Sequence, residues 1–441
     1  MTKNSVRNVL LGAVGAIGLV APTAAQAFAS PLVRVPFVGR AYQTGASIWV
    51  GTSATFGDSS TETLTLRARE ATACDTCWVS TVQMTSTGTG AGFRSWKGVV
   101  EGLKANTKYH YGIFAAGYTG ERGGFYFTTE PDGPSRFKVG AASCMSGANQ
   151  PSQPSWDIMY EQLNTGEPNL VLLAGDNMYT PRDVTLTNDV YWSKYFEQRA
   201  VPEFTNVFRA FPTFATWDDH DYGPNDEDGT FARKDIARAA YASVYPHPPF
   251  AGDGIYHKFT WGGDASAVGG AEFFMMDDRW GRDCPVPLPT GYAPSMYGAT
   301  QFSWLKSSLL ASKATFKVIV NGSVLGSTST GCWGTQRKAL FDYITANKIG
   351  GVIFVTGDIH RSVVSQRTPT GGYPLYELTS SGIGVNADPA EYSFGIMEFD
   401  TTLADPTVTF KVINNPLKAS TITGSGVTVS TTVVKRSQLQ N

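Results

Sequence analysis

Short apolar runs that stop at chemically capable residues recur through the second half of the chain. Leu170 to Ala174 lies between Pro168 and Gly175. It is too short for a free-standing helix and predicts a strand buried on both faces, as in the middle of an α/β sheet. The run gives way to Gly175-Asp176, and Tyr179 follows three residues after the aspartate. Four more runs end in the same way: FKVGAAS at Cys144, RAFPTFATW at Asp218-Asp219-His220-Asp221, FKVIV at Asn321, and VIFVTG at Asp358-Ile359-His360. Open α/β sheets place their ligands beyond the C-terminal ends of their strands. One sheet edge is therefore expected to gather Cys, Tyr, Asn, two His and several Asp, which is the donor set of a metal site.

Helical patterns fall between these runs. Ser155 is placed to cap a helix through Leu163, and amphipathic segments follow at Thr187 to Gln198, Asp235 to Val244 and Thr300 to Leu310, the last preceded by Gly298. Thr335 to Asn347 leads into the strand Val352 to Thr356. Strands alternating with helices predict an α/β core. Upstream, Pro31 to Thr129 reads differently. Alternating runs at Ala46 to Val50, Thr63 to Arg69, Tyr109 to Ala115 and Gly124 to Phe127 are separated by Gly, Ser and Thr clusters, the spacing of a small all-β sandwich. Within it, Gly102 to Tyr109 resembles the tyrosine-corner stretch of fibronectin type III domains, and the region is expected to pack on or shade the active site. The linker-like Glu130 to Ser135 divides the two parts. Beyond Ser380, β-like runs at Ile396 to Asp400 and Thr407 to Ile413 precede a Thr/Ser/Val-rich tail, expected to be a last strand and then disorder. The expected organisation is a signal at 1–27, a sandwich at 31–130, a catalytic domain at 136–415, and a strand and tail at 416–441.

Composition narrows the function classes. With 441 residues, 42% apolar, 16% charged and a formal net charge of −2, the chain is long enough for two cores, and no cationic surface for nucleic acid is legible. Lys3 and Arg7, the apolar Val9 to Val20 and the Ala25-Gln26-Ala27 site make a secretory signal too short to span a bilayer. A periplasmic or secreted monomer without a transmembrane segment in its mature form is expected. The chain holds five cysteines, an odd number for an exported protein. Cys74 and Cys77 are expected to form a small-loop disulfide, with a redox-active pair or half a zinc site as the alternatives. Cys284 and Cys332 are placed to pair as two loop residues. Cys144 is left over at a strand end, where a metal would occupy its thiolate.

The motifs AASCM, GDNMY, TWDDHD, DDRWGR, YGATQFSWL and TGDIH follow in one order between about Phe137 and Asn386. Together they resemble the alkaline phosphatase D family, the PhoD-like phosphatases of the calcineurin-like metallophosphoesterase superfamily. The resemblance implies a metallophosphoesterase-type β-sandwich core flanked by helices, behind a small fibronectin type III-like sandwich. Two departures stand out. Thr180 follows the motif tyrosine where the family often has an acid, and there is no Arg-Arg pair of a twin-arginine signal.

The donor chemistry reads alongside. Cys144, Asp176, Tyr179 and His360 offer anionic donors, and a phenolate favours a hard, highly charged ion. Fe(3+) is the first candidate for that position, with Zn(2+) its rival. Asp219, Asp358 and Asn321 offer oxygen only, which suits Ca(2+), Mg(2+) or Mn(2+). In the superfamily Asp219 stands where a neutral Asn ligand would be and Asp358 where a His would be, a hardening that favours calcium over zinc. Asp176 is the natural bridge. The resemblance further implies His220 as general acid held by Asp221, and Arg279 is read as a clamp on phosphate oxygens, with Arg282 or Arg361 sharing that role.

Other residues have plainer readings. His110 belongs to the sandwich, His247 and His257 read as surface residues, and Asp277 and Asp278 read as orienting Arg279. Asp226-Glu227-Asp228 reads as a solvated loop that is placed to lend a carboxylate to a metal. The implied activity is alkaline phosphatase action on small-molecule or polymeric phosphate esters. A phosphodiesterase or phospholipase D-type enzyme, or a non-catalytic envelope-binding protein, are the alternatives.

Overall fold

The computed structural model describes residues 31–440 except 119, 123, 183, 264–267, 286, 288, 327–332, 386–391 and 416–425. The expected signal and the start of the expected C-terminal segment lie outside the described residues. No helix among those described is long and apolar enough to cross a membrane.

The N-terminal region folds as two four-stranded antiparallel sheets. Leu32–Tyr42, Gly45–Ser53, Phe93–Glu101 and Thr85–Gly90 form one, and Ser80–Gln83, Leu64–Glu70, Lys108–Ala115 and Gly124–Thr128 form the other. Alternation fixes which face is buried, since Leu64, Leu66 and Ala68 turn inward from one strand while Thr65 and Arg67 stay partly exposed. Lys104 N donates to Tyr109 Oη at 2.8 Å and closes the Gly102 to Tyr109 turn. Cys74 and Cys77 are disulfide-bonded. This block packs against helices of the following region: Tyr111 Oη donates to Arg209 O at 2.8 Å, Thr87 Oγ1 to Ser243 O at 2.9 Å, and Arg34 Nε to Phe196 O at 2.8 Å.

The motif-bearing strands do not share one sheet, as the run pattern led us to expect. They divide between two six-stranded sheets. Thr213–Thr216, Leu170–Ala174 and Arg136–Ala142 run parallel in the first, continued by antiparallel Tyr392–Asp400, Thr407–Asn415 and Val427–Lys435. Ala271–Met275, Phe316–Val320, Val352–Thr356 and Leu375–Ser380 run parallel in the second, edged by antiparallel His257–Trp261 and Ser362–Arg367. The physical reason is that a run buried at every position reports only cover on both faces, whether by helices or by a second sheet. Leu170–Ala174, Phe316–Val320 and Val352–Thr356 are all of this kind.

Helices fall near the expected segments: Ser155–Leu163, Asn188–Gln198, Lys234–Val244, Gly298–Ala311 and Trp333–Ala346. Thr187 caps the second, accepting from Val190 N. Ser155 is not a cap, because Pro154 takes that position and Ser155 is the first helical residue. Instead of disorder, the described part of the tail forms the strand Val427–Lys435 and a docked end. Gly351 N donates to Leu439 O at 2.7 Å, Arg436 Nε to Thr315 O at 2.9 Å, and Leu439 is fully buried. His257 is not a surface residue either; it is buried at the start of an edge strand, where burial pushes its imidazole pKa down to about 4.

The two sheets meet tightly at the C-terminal ends of their parallel strands. Ser143 Oγ donates to Ser380 O at 3.1 Å, and Thr216 Oγ1 donates to Met276 O. A Cβ on Gly322 would fall within 3.0 Å of Asp218 and the Trp217 carbonyl, and one on Gly357 within 3.0 Å of the Ala174 carbonyl and Ser143. Gly357→Ala is therefore expected to cost about 1–3 kcal/mol, the usual range for overpacking. A urea-unfolding midpoint at the wild-type value would show that the seam yields freely.

Candidate metal centre

The loops that leave this seam carry the predicted donors, and their backbone is unusual. Among the described residues eight non-glycines have positive φ, and five of them are Cys144, Asp176, Asp226, Asp358 and His360. Each such conformation costs an L-residue on the order of 1 kcal/mol or more, and such residues cluster where function fixes a side-chain direction. Four of the five, Asp176, Asp226, Asp358 and His360, line one cavity.

The donors converge. Ligand atoms of Cys144, Asp176 and His360 all lie within 4.8 Å of one another, and so do those of Asp176, Asp219 and His220. Asp176 belongs to both groups. Tyr179 Oη is 3.2 Å from Asp176 Oδ2 and 3.0 Å from His360 Nε2, and Cys144 Sγ is 3.5 Å from Asp176 Oδ2. The thiol is further held by Ser143 Oγ at 3.2 Å and Ser381 Oγ at 3.0 Å. The His220 ring stacks on Tyr179 with centroids 4.2 Å apart. A cavity of about 170 Å³ opens above, lined in part by Asp176, Asp219, His220, Arg279, Arg282 and Asp358.

Electrostatics show what the cluster would favour. Burial, then the charges of Asp219, Asp218, Asp221 and Asp358, push the Asp176 carboxyl far above the usual range. Burial and then Asp176 push the Cys144 thiol and the Tyr179 phenol up as well. Asp358 is pushed up to about 6 by burial and then by Asp219. Asp219 alone goes down, because Arg279 and then His220 outweigh its burial. Bound cations invert this logic, holding thiolate, phenolate and carboxylate in their anionic forms. Two buried acceptors, Asn321 Oδ1 and Asp278 Oδ1, have no hydrogen-bond donor. Acceptors left without a donor, beside a set of sulfur, phenol, imidazole and carboxylate groups, fit resident metal ions.

Comparison with known proteins bears on the same loops. A family model described as PhoD-like phosphatase matches residues 143–433, well over half of the chain. The chain belongs to the PhoD-like phosphatase family. Alkaline phosphatase D of Bacillus subtilis (strain 168) is 24% identical over 338 residues, which is 64% of this chain but only 55% of that relative's length. The solved structure of PhoD overlays on 94% of this chain and 92% of its own, with a TM-score of 0.75 at 17% identity, which shows a shared fold.

Against this PhoD-like frame, three predicted roles need correction. Asp221 does not hold His220. Its carboxylate accepts from Asn177 N, Asn177 Nδ2, Asp218 N and Tyr195 Oη, closing a capping box on the short helix Asp219–Tyr222. At the third helical position its side chain turns back to the cap, away from the residue before it. Arg279 does not present an open fork. Its Nε donates to Asp218 Oδ1 at 2.5 Å, its Nη1 to Glu227 O and its Nη2 to Ser323 Oγ, with Nη2 also paired to Asp218. Of five N–H groups, one on Nη1 is left for a substrate. Arg361 lies outside the cavity, whereas Arg282 lines it.

Asn321 is buried beside Ser323, which lines the cavity. Its Nδ2 donates to Ser323 O at 2.5 Å and lies 3.3 Å from Asp278 Oδ2. Asp277 shapes the loop by accepting from Arg279 N and Trp280 N, as its orienting role implies. Cys144 is a free, buried thiol, while Cys284 is disulfide-bonded and its expected partner Cys332 lies outside the described residues. Asp218, Ser323, Ser381 and Asn225 escaped the sequence reading. Asp218 alone had a signal, an aspartate three residues before Asp221 at the start of a helix.

Stability should depend on pH in a way that reports the missing charge. Asp358 and Asp221 are pushed from 3.8 up to about 6 and about 7, the first cause in each being burial. Both bind a proton more tightly folded than unfolded, so the stability they give is complete below the unfolded value and lost as pH rises through the folded one. The chelated protein is expected to lose unfolding midpoint between pH 4 and 7. Added metal should shrink that loss, and a chelated protein that gains stability over this range would contradict the account.

Proposed function

We propose that the protein is an exported, metal-dependent alkaline phosphatase that hydrolyses phosphomonoesters and, through the same site, phosphodiesters. The observation that carries this reading is the double membership of Asp176, whose carboxylate reaches the donors on both sides of it. A shared carboxylate is the arrangement that spaces two cations for phosphoryl transfer. Cys144, Asp176, Tyr179 and His360 would hold iron(III), with zinc the alternative. Asp176, Asp219, Asp358 and Asn321 would hold calcium, with manganese or magnesium the alternatives. Such ions supply an activated water and neutralise charge on the phosphoryl group. The complete donor set weighs against a decayed, purely envelope-binding role. The short apolar signal supports export, and the N-terminal block supports an accessory fibronectin type III-like domain ahead of a metallophosphoesterase-type core.

The chain's own residues do the remaining work. The Arg279 Nη1 hydrogen and Arg282 draw the phosphoryl oxygens toward the cavity. His220 faces the same space with its ring stacked on Tyr179, so the stack, rather than Asp221, sets its direction. Burial lowers the His220 pKa, and Asp219 opposes that fall. An incoming phosphate dianion raises it again and lets a ring nitrogen carry the proton that the leaving oxygen needs.

Two measurements test these roles. His220→Ala is expected to lose roughly two to four orders of magnitude in kcat on alkyl phosphates, the usual worth of acid–base catalysis. The loss should be much smaller on 4-nitrophenyl phosphate, whose leaving group scarcely needs a proton. Equal losses on both would assign His220 to metal or phosphate binding.

Tyr179 gives the metal test. Iron(III) on its phenolate should give the purified protein a visible charge-transfer band that Tyr179→Phe removes. A calcium chelator should abolish turnover without bleaching that band, and calcium should restore it. A colourless, zinc-containing protein indifferent to calcium would overturn the assignment of both ions.

A further inference from the structure

The cavity over the donors, about 170 Å³, holds a phosphoryl group but little more. A larger groove of about 530 Å³ lies beside it and shares one wall, Asp358. Its floor is the edge strand Ser362–Arg367 with the residue before it. Arg361, Val363, Ser365 and Arg367 all line it, as alternate residues of a strand must when one face is turned toward a groove. The volume falls within the range of small-ligand sites, about 300–1,000 Å³.

Two arginines, Arg361 and Arg367, and two carboxylates, Asp358 and Glu377, line it. Glu377, the carboxylate on its floor, is buried and fully engaged, accepting from Leu325 N at 2.8 Å, Thr356 Oγ1 at 2.9 Å and Ser365 Oγ at 3.2 Å. Arg367 lies 3.4 Å from Glu377 and is fixed there, and Arg337 reaches the Leu325 carbonyl close by. Arg361 differs from both. It is exposed, it follows His360, which lines the cavity, and no hydrogen bond or ion pair engages its guanidinium among the described residues.

Resting on the phosphatase reading, we propose that this groove takes the leaving group and that Arg361 binds a second anionic group on it. The substrate class is then a phosphate ester whose leaving portion carries a further phosphate or carboxylate a few ångströms from the scissile bond. Arg361 acts here as a specificity residue and takes no part in the bond-breaking step.

The test compares phenyl phosphate with 1,4-phenylene bisphosphate, which differ only by the second anion. Wild-type protein is expected to show the lower KM for the bisphosphate, with the advantage shrinking as salt is added. Arg361→Ala should raise that KM about tenfold, the effect of losing one charge-assisted contact of about 1.4 kcal/mol. It should leave kcat, and KM for phenyl phosphate, within about twofold, and Arg361→Lys should recover part of the loss. Equal KM values for the two esters in wild type, or an equal rise for both in Arg361→Ala, overturn the second-anion site alone. Cleavage of neither ester by the metal-loaded wild type overturns the phosphatase reading and this proposal with it.

Discussion

The buried ion pair between Asp218 and Arg279 is the interaction on which the site depends. Asp218 leaves the end of a strand in one sheet and Arg279 leaves a strand end in the other, so the pair ties the two sheets where their loops meet. Both side chains are almost entirely buried. Removing one partner from such a pair costs on the order of 3–5 kcal/mol, because the other charge is left stranded. Ser323 Oγ lies near both, and Asp218 also caps the helix that carries Asp219 and His220. One aspartate thereby holds the sheets together, starts the helix that carries Asp219 and His220, and fixes the guanidinium whose charge pulls the Asp219 pKa down.

Much of this was legible in the sequence, and the boundary of legibility is physical. Runs buried at every position, each ended by a polar residue, located Cys144, Asp176, Tyr179, Asp219, Asp358 and His360 because a strand end is a local property. How those strands were shared between two sheets was not local, and the expectation of a single edge failed for that reason. Roles that depend on which neighbour a side chain faces were also hidden. Asp221 read as a partner for His220 by adjacency, yet helical geometry turns it toward Asn177 and Asp218. Arg279 read as an open clamp because its partner Asp218 lies 61 positions away in the chain. His257 looked like a loop residue for want of periodicity in the Pro- and Gly-rich sequence before it.

Thr180 shows how a family departure can be absorbed. Where the family resemblance leads one to expect an acid, its hydroxyl donates to Gly223 O at 2.8 Å, and its N–H donates to His220 O. The residue pins the Tyr179 loop under the helix bearing His220, and so supports the stack of the two rings. An acidic side chain there would turn an acceptor toward the same carbonyl and would need a cation or a proton between them. In this chain the contact is a neutral hydrogen bond.

Asp358 is a wall of both the cavity and the groove, and that shared wall couples them thermodynamically. Whatever binds in the groove with a charge of its own changes the free energy of an ion held by Asp358, and the ion changes the groove's affinity by the same factor. Occupancy of the two spaces is therefore a linked equilibrium. An anion drawn to Arg361 would favour a cation held by Asp358, and the cation would favour the anion. If Asp358 holds an ion, a substrate long enough to fill both spaces would slow its loss, and a short one would not.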